Sequence, residues 1–555
     1  MFDVLLKDIG GDICDSSSID ILASKNKSYI YNFYGSIKSI AESQINLDYL
    51  NIEKYIIEIL AKGSDLELLN PITGASTRPF FSCTFGMSNF VFFSDNNYNN
   101  VWILGQTTCF VDLIWCEGKF YDVGFDFKVC YKNLNDAFHE KYFDLCEKSF
   151  NSSVGVVLKS SRPFHSVYDQ CFWLWFLLQK NYNFQDLVIL DEVSYLDLSF
   201  LLMNKKDLNI TKKKRKGFIY FFPCFFSRNS YKKSIGESVS SYRTKDHIIK
   251  IRKINKYVKE FEDSLGSLYA ADIEKDNDCF YLWIGVTGQK RSWIEQTIAY
   301  SKIIDFLSLN FRKIVVFVDG WTATHNSEAK KGDANDDKLI AEEIFTYLSC
   351  HRNMKFVSLI GLDYSKKISA CQLVDFFISN AGSGSTVPLR FLRKPGVLHS
   401  NSALFTFPEI YPSSVKIINK PPYMTDVLDD TAAGASASTS YSICWRIVYE
   451  NLVDSIMEVT GFKIKKSSDI QNINFSFAVN RIENKLGTEG REFPDIMREV
   501  ALYFELTGNY NLAYEVVSLA LKERPHGSFL FSKKKSYCQK LGFNMLSYKQ
   551  FLNGE

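Results

Sequence analysis

The chain has 555 residues, 46% of them apolar and 23% charged, which suffices for roughly two to four domains with buried cores and excludes an intrinsically disordered chain. Its 65 Lys and Arg stand against 63 Asp and Glu, and a net charge of +2 excludes a dedicated nucleic-acid coat. Thirteen Cys are scattered without a Cys-x-x-Cys pair and apart from the seven His, so neither a disulfide framework nor a metal centre is expected. They read as small buried hydrophobes of a reducing compartment.

No stretch reaches about 18 uncharged apolar residues, and the N-terminal run Met1–Ile9 carries charge, so neither a membrane span nor a signal peptide is expected. The expected location is the cytoplasm, with peripheral membrane attachment left open.

Taken in order, Ser28–Gln44 and Leu50–Ala61 carry apolar residues at helical steps. From Asn89 the period shortens, and Phe90–Phe93, Val101–Leu104, Cys109–Trp115 and Phe120–Val129 read as short strands of a meander. A helix over Leu134–Phe150 and a buried strand, Val154–Leu158, follow. The segment Arg162-Pro163-Phe164-His165 then opens a helix at its proline, and His165 and Asp169, four apart, share a face. A carboxylate in that position can orient the imidazole and raise its basicity, as a general base requires; a capping or packing histidine is the alternative. Strand Leu187–Leu190, a helix over Tyr195–Met203 and strand Phe218–Phe222 continue the alternation. The basic run Lys212–Lys216 between them reads as a solvated loop.

A charged amphipathic helix over His247–Leu268 connects to a regular second half. Strands Phe280–Val286, Ile314–Val318, Phe356–Ile360 and Phe376–Ile378 alternate with helices over Trp293–Leu309, Asp337–Ser349 and Lys366–Val374. Short buried runs separated by helices specify a parallel doubly wound sheet, whose ligand site lies at the carboxyl ends of its strands. Three loops are thereby expected to converge. The first offers Lys290 and Arg291, able to hold phosphate oxygens. The second begins at Asp319, a candidate ribose contact or a simple turn. The third is the small-residue run Asn380, Gly382, Ser383, Gly384, Ser385 and Thr386, whose backbone can approach a diphosphate closely. Exposed turns without a ligand remain the alternative for each. Neither a G-x-x-x-x-G-K-[ST] loop nor a G-x-G-x-x-G fingerprint is present, which disfavours a P-loop enzyme and a nicotinamide enzyme. Asp276-Asn-Asp278 precedes its strand and reads as a solvated turn.

The low-complexity run Thr431–Ser440 reads as a loop, and a helix over Ile443–Met457 is expected to cross back to the first half. Phe493–Pro525 has the spacing of a tetratricopeptide helix pair, and a partial third helix spans Ser528–Leu541. One repeat cannot bury its own face, so it packs on the body, on another protomer or on a protein partner.

With these motifs in hand, the chain over about residues 150–400 resembles the GT-B fold glycosyltransferases. It is similar to the group of O-linked N-acetylglucosaminyl and xylosyl transferases with a His-Gly-Ala-Gly-Leu type donor loop. Asn380-Ala-Gly-Ser-Gly-Ser-Thr386, then Arg390-Phe391 and Pro395–Leu398, stand where that loop and the next strand run; Asn380 replaces the loop histidine. The pair His165 and Asp169 is similar to the family's histidine followed by an acidic residue. The resemblance implies an α/β chain of two Rossmann-like domains facing a cleft, with helical additions at both ends. Residues 1–82 would be the N-terminal helical region, 83–245 the acceptor-side domain, 246–270 a connector and 271–420 the nucleotide-sugar domain. A linker with a crossing helix over 421–485 and tetratricopeptide-like helices over 486–555 would follow.

The implied activity is metal-independent, inverting transfer of a sugar from a nucleotide-diphosphate sugar, with no resident cofactor, to a glycan or protein hydroxyl. His165, Asp169 and Arg162 would be the catalytic candidates. A non-catalytic interaction protein and a nucleotide-sugar epimerase using the same loops are the competing classes.

Overall fold

The computed structural model describes residues 21–22, 28–46, 48–142, 153–160, 162–180, 187–199, 208–225, 245–269, 274–327, 332, 334–348, 354–403, 413–428, 434–436, 438–464, 493–506, 508 and 510–540. The architecture is mixed α/β: a seven-stranded sheet that is antiparallel except for one edge pair, two parallel sheets and a two-stranded antiparallel hairpin.

Strand β1 (Ile21–Leu22) precedes helices α1 (Gly35–Ile45) and α2 (Tyr49–Lys62), after which β2 (Leu68–Leu69), β3 (Ser76–Phe85), β4 (Ser88–Ser94), β5 (Trp102–Gln106), β6 (Leu113–Cys116) and β7 (Lys119–Asp122) form a meander. The seven strands lie in the order β1-β7-β6-β5-β4-β3-β2. Strand side chains alternate faces, and both faces of this sheet are apolar. Phe90 and Phe92 point into one cluster with Phe127, Cys130 and Leu134, whereas Val91 and Phe93 point into another with the first parallel sheet. Because β3 begins at Ser76, a domain boundary at 82/83 would cut a strand. The expected strand over Phe120–Val129 is instead the end of β7 followed by helix α3 (Phe127–His139), whose Phe127, Cys130, Leu134 and Ala137 are buried at helical steps. That helix ends at His139, short of the expected Phe150; residues 140–142 form a turn, and 143–150 lie outside the described residues.

The first parallel sheet comprises β8 (Ser153–Lys159), β9 (Val188–Val193), β10 (Asn209–Thr211) and β11 (Phe218–Phe221), in the order β10-β9-β8-β11. After β8 the chain runs through one turn at Pro163–His165 and a π turn at Ser166–Cys171 into helix α4 (Phe172–Gln179). Of the helix expected over Tyr195–Met203, residues 195–199 form bends and a short 3-10 turn instead of an α-helix, and residues 200–203 lie outside the described residues.

Helix α5 (Lys245–Leu268) leads to β12 (Cys279–Gly285), α6 (Gln296–Leu307), β13 (Lys313–Asp319), α7 (Asn335–Leu348), β14 (Met354–Ser358), α8 (Tyr364–Gln372), β15 (Phe376–Asn380), β16 (Gly396–His399) and β17 (Val415–Ile418). Their order, β14-β13-β12-β15-β16-β17, is the doubly wound 3-2-1-4-5-6 arrangement, all parallel. Its switch point falls between β12 and β15.

A small hairpin, β18 (Met424–Asp426) with β19 (Tyr441–Ile443), precedes helix α9 (Trp445–Thr460). This helix does not cross to the first half. Its Trp445, Val448, Tyr449 and Leu452 pack into the cluster that holds Ile284, Ile303 and Val397 of the second sheet. Helices α10 (Phe493–Leu506), α11 (Tyr510–Glu523) and α12 (Ser528–Lys540) pack together through Ala501, Ala513, Val517, Ala520 and Leu530. Leu506 joins the second-sheet cluster, so this unit packs on the body of the same chain.

Candidate active site

The loops at the carboxyl ends of the two parallel sheets meet. The His325 backbone N–H, beyond the end of β13, donates to the Ser194 carbonyl, beyond the end of β9, at 3.0 Å. Deeper down, the fully buried Glu262 of α5 ties the two halves. Tyr168 of the π turn donates to it at 2.8 Å, while Arg390 and Arg393, which follow β15, pair with its two oxygens at 3.3 Å each. Arg390 also lies over the Tyr168 ring.

On the first half, His165 Nδ1 is 2.5 Å from Oδ2 of Asp169, as the four-residue spacing requires. Asp169 is buried at 1% exposure, whereas the His165 side chain keeps 20%. Burial alone would lower the imidazole pKa. The hydrogen bond and charge of Asp169, helped by Asp126 and opposed by Arg162, outweigh it and hold the pKa above the ordinary 6.5. With Nδ1 engaged, Nε2 is the nitrogen left to exchange a proton with a ligand.

Asp126 lies between β7 and α3, as the residue before that helix. The buried Asp112 accepts five backbone N–H groups, from Thr107, Thr108, Cys109, Phe125 and Asp126, and so knots two loops together. Gln106, just before them, holds the backbone N–H of Phe222 beyond β11, which brings this knot to the carboxyl edge of the first parallel sheet.

On the second half, Arg291 follows β12 and Gly382 follows β15, on either side of the switch point. A β-carbon on Gly382 would sit 3.4 Å from an Arg291 guanidinium nitrogen, and its φ of 149° also favours glycine. Burial depresses the Arg291 pKa. Tyr441 opposes that shift, and the positive charge of Arg162, arriving from the other half, adds to it. Among the described residues no carboxylate contributes to the shift at Arg291. The charge of Arg162 is felt at both Arg291 and His165, so positive charge from both halves gathers here, an arrangement that an anion of two or more charges would relieve.

The remaining candidates divide. Ser385 and Thr386 are buried and turn their hydroxyls back onto the Gly382 carbonyl, fixing the loop; Gly382, Ser383 and Gly384 stay partly exposed. Asn380 is the last residue of β15, its side chain beside Gly384. Lys290 is exposed at the loop tip. Asp319 is buried at 1% exposure and paired with the buried Lys367 at 2.6 Å. Lys367 in turn holds the carbonyls of Gly320 and Trp321, so the pair builds the second loop from inside.

Asp337 was not singled out by the sequence, yet it clamps two of the loops, accepting from Gly288 N–H and Trp321 N–H at 2.7 Å each. The Thr431–Ser440 run is structured where described. Arg291 N–H donates to Ser438, and Asn401 reaches the carbonyls of Ser436 and Thr439. An open groove of about 560 Å³, lined by Asp197, Tyr269, His325, Asn326 and Lys366, runs beside the Ser194–His325 contact.

Two parallel sheets, the second in the doubly wound order, define a mixed α/β protein. No protein-family model matches the chain, and no curated protein matches it. Among solved structures it is similar to E. coli ADP-heptose LPS heptosyltransferase II at 11% identity and a TM-score of 0.30, over 55% of this chain and 99% of that one. It is also similar to S. aureus TarM in complex with Fondaparinux, alpha-GlcNAc-glycerol and UDP, at 10% identity and 0.19, over 90% and 95%. A second TarM structure matches at 10% identity and 0.18, over 70% and 76%. At scores this low the likenesses carry no functional weight.

Proposed function

We propose that the chain is a GT-B type glycosyltransferase that moves a sugar from a nucleotide-diphosphate sugar to a hydroxyl acceptor, glycan or protein, without a metal ion and with inversion. The observation that carries this reading is the meeting of the loops at the carboxyl ends of the two sheets, with Arg291 against the Gly382 turn on the second half and the His165–Asp169 couple, preceded by Arg162, on the first. The diphosphate lies against Arg291 and the backbone of Gly382–Gly384, with Arg162 and the exposed Lys290 completing the positive field. His165 Nε2 takes the acceptor proton. The acceptor oxygen bonds to the anomeric carbon as the bond from that carbon to the phosphate oxygen breaks, and the electron pair leaves with the nucleoside diphosphate. The guanidinium groups stabilise that developing charge, and Asp169 stabilises the imidazolium.

The test is a panel of nucleotide sugars screened by thermal shift and then incubated with and without candidate acceptors. A donor that stabilises the protein and is consumed by transfer supports the reading, and His165→Ala should then abolish transfer while leaving donor stabilisation intact. Conversion of the donor without any acceptor would instead indicate an epimerase, and the absence of any stabilising donor a non-catalytic interaction protein. Undiminished transfer by His165→Ala removes the proposed base.

A further inference from the structure

The C-terminal helices reach the anion loop through one buried charge. Lys533 of α12 is 5% exposed, and its ammonium lies 2.9 Å from Glu295 and 3.0 Å from Glu505 of α10. Tyr537 donates to Glu505 at 2.8 Å, and Lys540 lies 3.8 Å from it. The seam around these groups, lined also by Ala299, Trp445 and Leu502, leaves only about 20 Å³ of space. A cavity of that size holds no more than a water molecule.

Glu295 is four residues past Arg291, and the intervening chain is pinned throughout. Ser442 donates to Glu295, Ile294 N–H donates to Tyr441, Tyr441 N–H donates to Ser292, and the Trp293 indole N–H donates to Ile443 at 3.0 Å. Gln296, the next residue, closes the loop's other end by bonding both the N–H and the carbonyl of Thr287. Arg291 itself holds a positive φ of 57°, a conformation that a non-glycine residue keeps only where its surroundings enforce it.

We infer that Lys533 is a positioning residue: through Glu295 it locks the segment from Thr287 to Gln296 and thereby fixes Arg291 for the anionic part of the ligand, making the C-terminal helices a component of the binding site. Burial alone would strip Lys533 of its proton. The two carboxylates reverse that and keep it charged. A buried ammonium between two carboxylates is a poor choice for mere adhesion, because an apolar contact of the same volume would hold the seam at least as firmly. It does specify one register of α12 against Glu295. The role in ligand binding rests on the proposed sugar-nucleotide reading; the locking of the loop does not.

The experiment therefore has two arms, both on the full chain. In the first, amide hydrogen exchange compares wild type with Lys533→Met and with Glu295→Gln, which retains the shape of the seam if the first variant fails to fold. Exchange at residues 287–294 should rise about tenfold while Leu282–Ile284 of β12 stay protected. Unchanged exchange there, or an equal rise throughout the second sheet, overturns the inference. In the second arm, calorimetry with UDP, ADP, GDP and CDP should show about tenfold weaker binding by Lys533→Met of whichever the wild type binds. Lys533→Arg should restore binding to within about threefold. Equal affinity in wild type and Lys533→Met overturns the ligand role. No binding by wild type refutes the sugar-nucleotide reading and with it that role, while the exchange arm still decides the lock.

Discussion

Replacing Glu262 tests how the two halves are held. Its carboxylate is fully buried and serves Tyr168 at 2.8 Å together with Arg390 and Arg393 at 3.3 Å each. Glu262→Gln keeps the shape but withdraws the negative charge from beside two guanidinium groups, of which Arg390 is 6% exposed. Breaking a buried pair by removing one partner costs about 3–5 kcal/mol. The lower end applies here, because Arg393 keeps its 2.8 Å contact with Asp263. The loss is read as the fall in the urea midpoint, followed separately by fluorescence and by far-UV dichroism. Replacing both partners, Glu262→Leu with Arg390→Met, should recover most of it, since an apolar pair of similar volume needs no compensation. A loss under about 1 kcal/mol in Glu262→Gln, or a double variant less stable than the single one, would refute the assignment of Glu262 as the charge that joins the halves.

Two histidines give pH predictions of opposite sign. The raised pKa of His165 means that its contribution to stability is fully present below 6.5 and is lost as pH rises through the folded value; if it is the base, the acid limb of kcat/KM lies above 6.5. Asp169→Asn should move that limb to lower pH and reduce the rate about a hundredfold or more, and a limb that stays put excludes the couple. His399 is buried against Tyr441 at 2.8 Å, and burial drops its pKa to about 3. The unfolded chain therefore takes up a proton that the folded chain refuses, and stability falls as pH drops from 6.5 toward 3. His399→Gln should flatten that slope in denaturant titrations across this window. An unchanged slope would show that His399 does not contribute it.

How much of this was legible depends on the range over which each residue's role is decided. The second-half strands were readable because a strand covered on both faces is a short continuous apolar run, and their alternation with helices fixed the parallel sheet. That placed Arg291 and Gly382 on one rim before any contact was known. The His165–Asp169 pair was readable because a helical step is local. Phe120–Val129 was misread because an apolar run cannot mark where β7 stops and α3 begins: the break is set by Gly124 passing close to Asp112, twelve residues earlier.

Asp319 looked available at a strand end because its partner, Lys367, lies one α/β unit away in sequence. Glu262 and Lys533 sit in charged helices, and nothing local distinguishes them from solvated neighbours. Helix α9 was legible as a helix, but its apolar stripe is equally compatible with packing on either half.

The most direct test of the central claim is calorimetric titration of nucleoside diphosphates into wild type, Arg291→Ala and His165→Ala. Removing a guanidinium that contacts a diphosphate should weaken binding about thirtyfold, while His165→Ala should bind within about twofold of wild type. Equal affinity in wild type and Arg291→Ala would contradict the account, because Arg291 and the Gly382 turn would then not be where the anion is held.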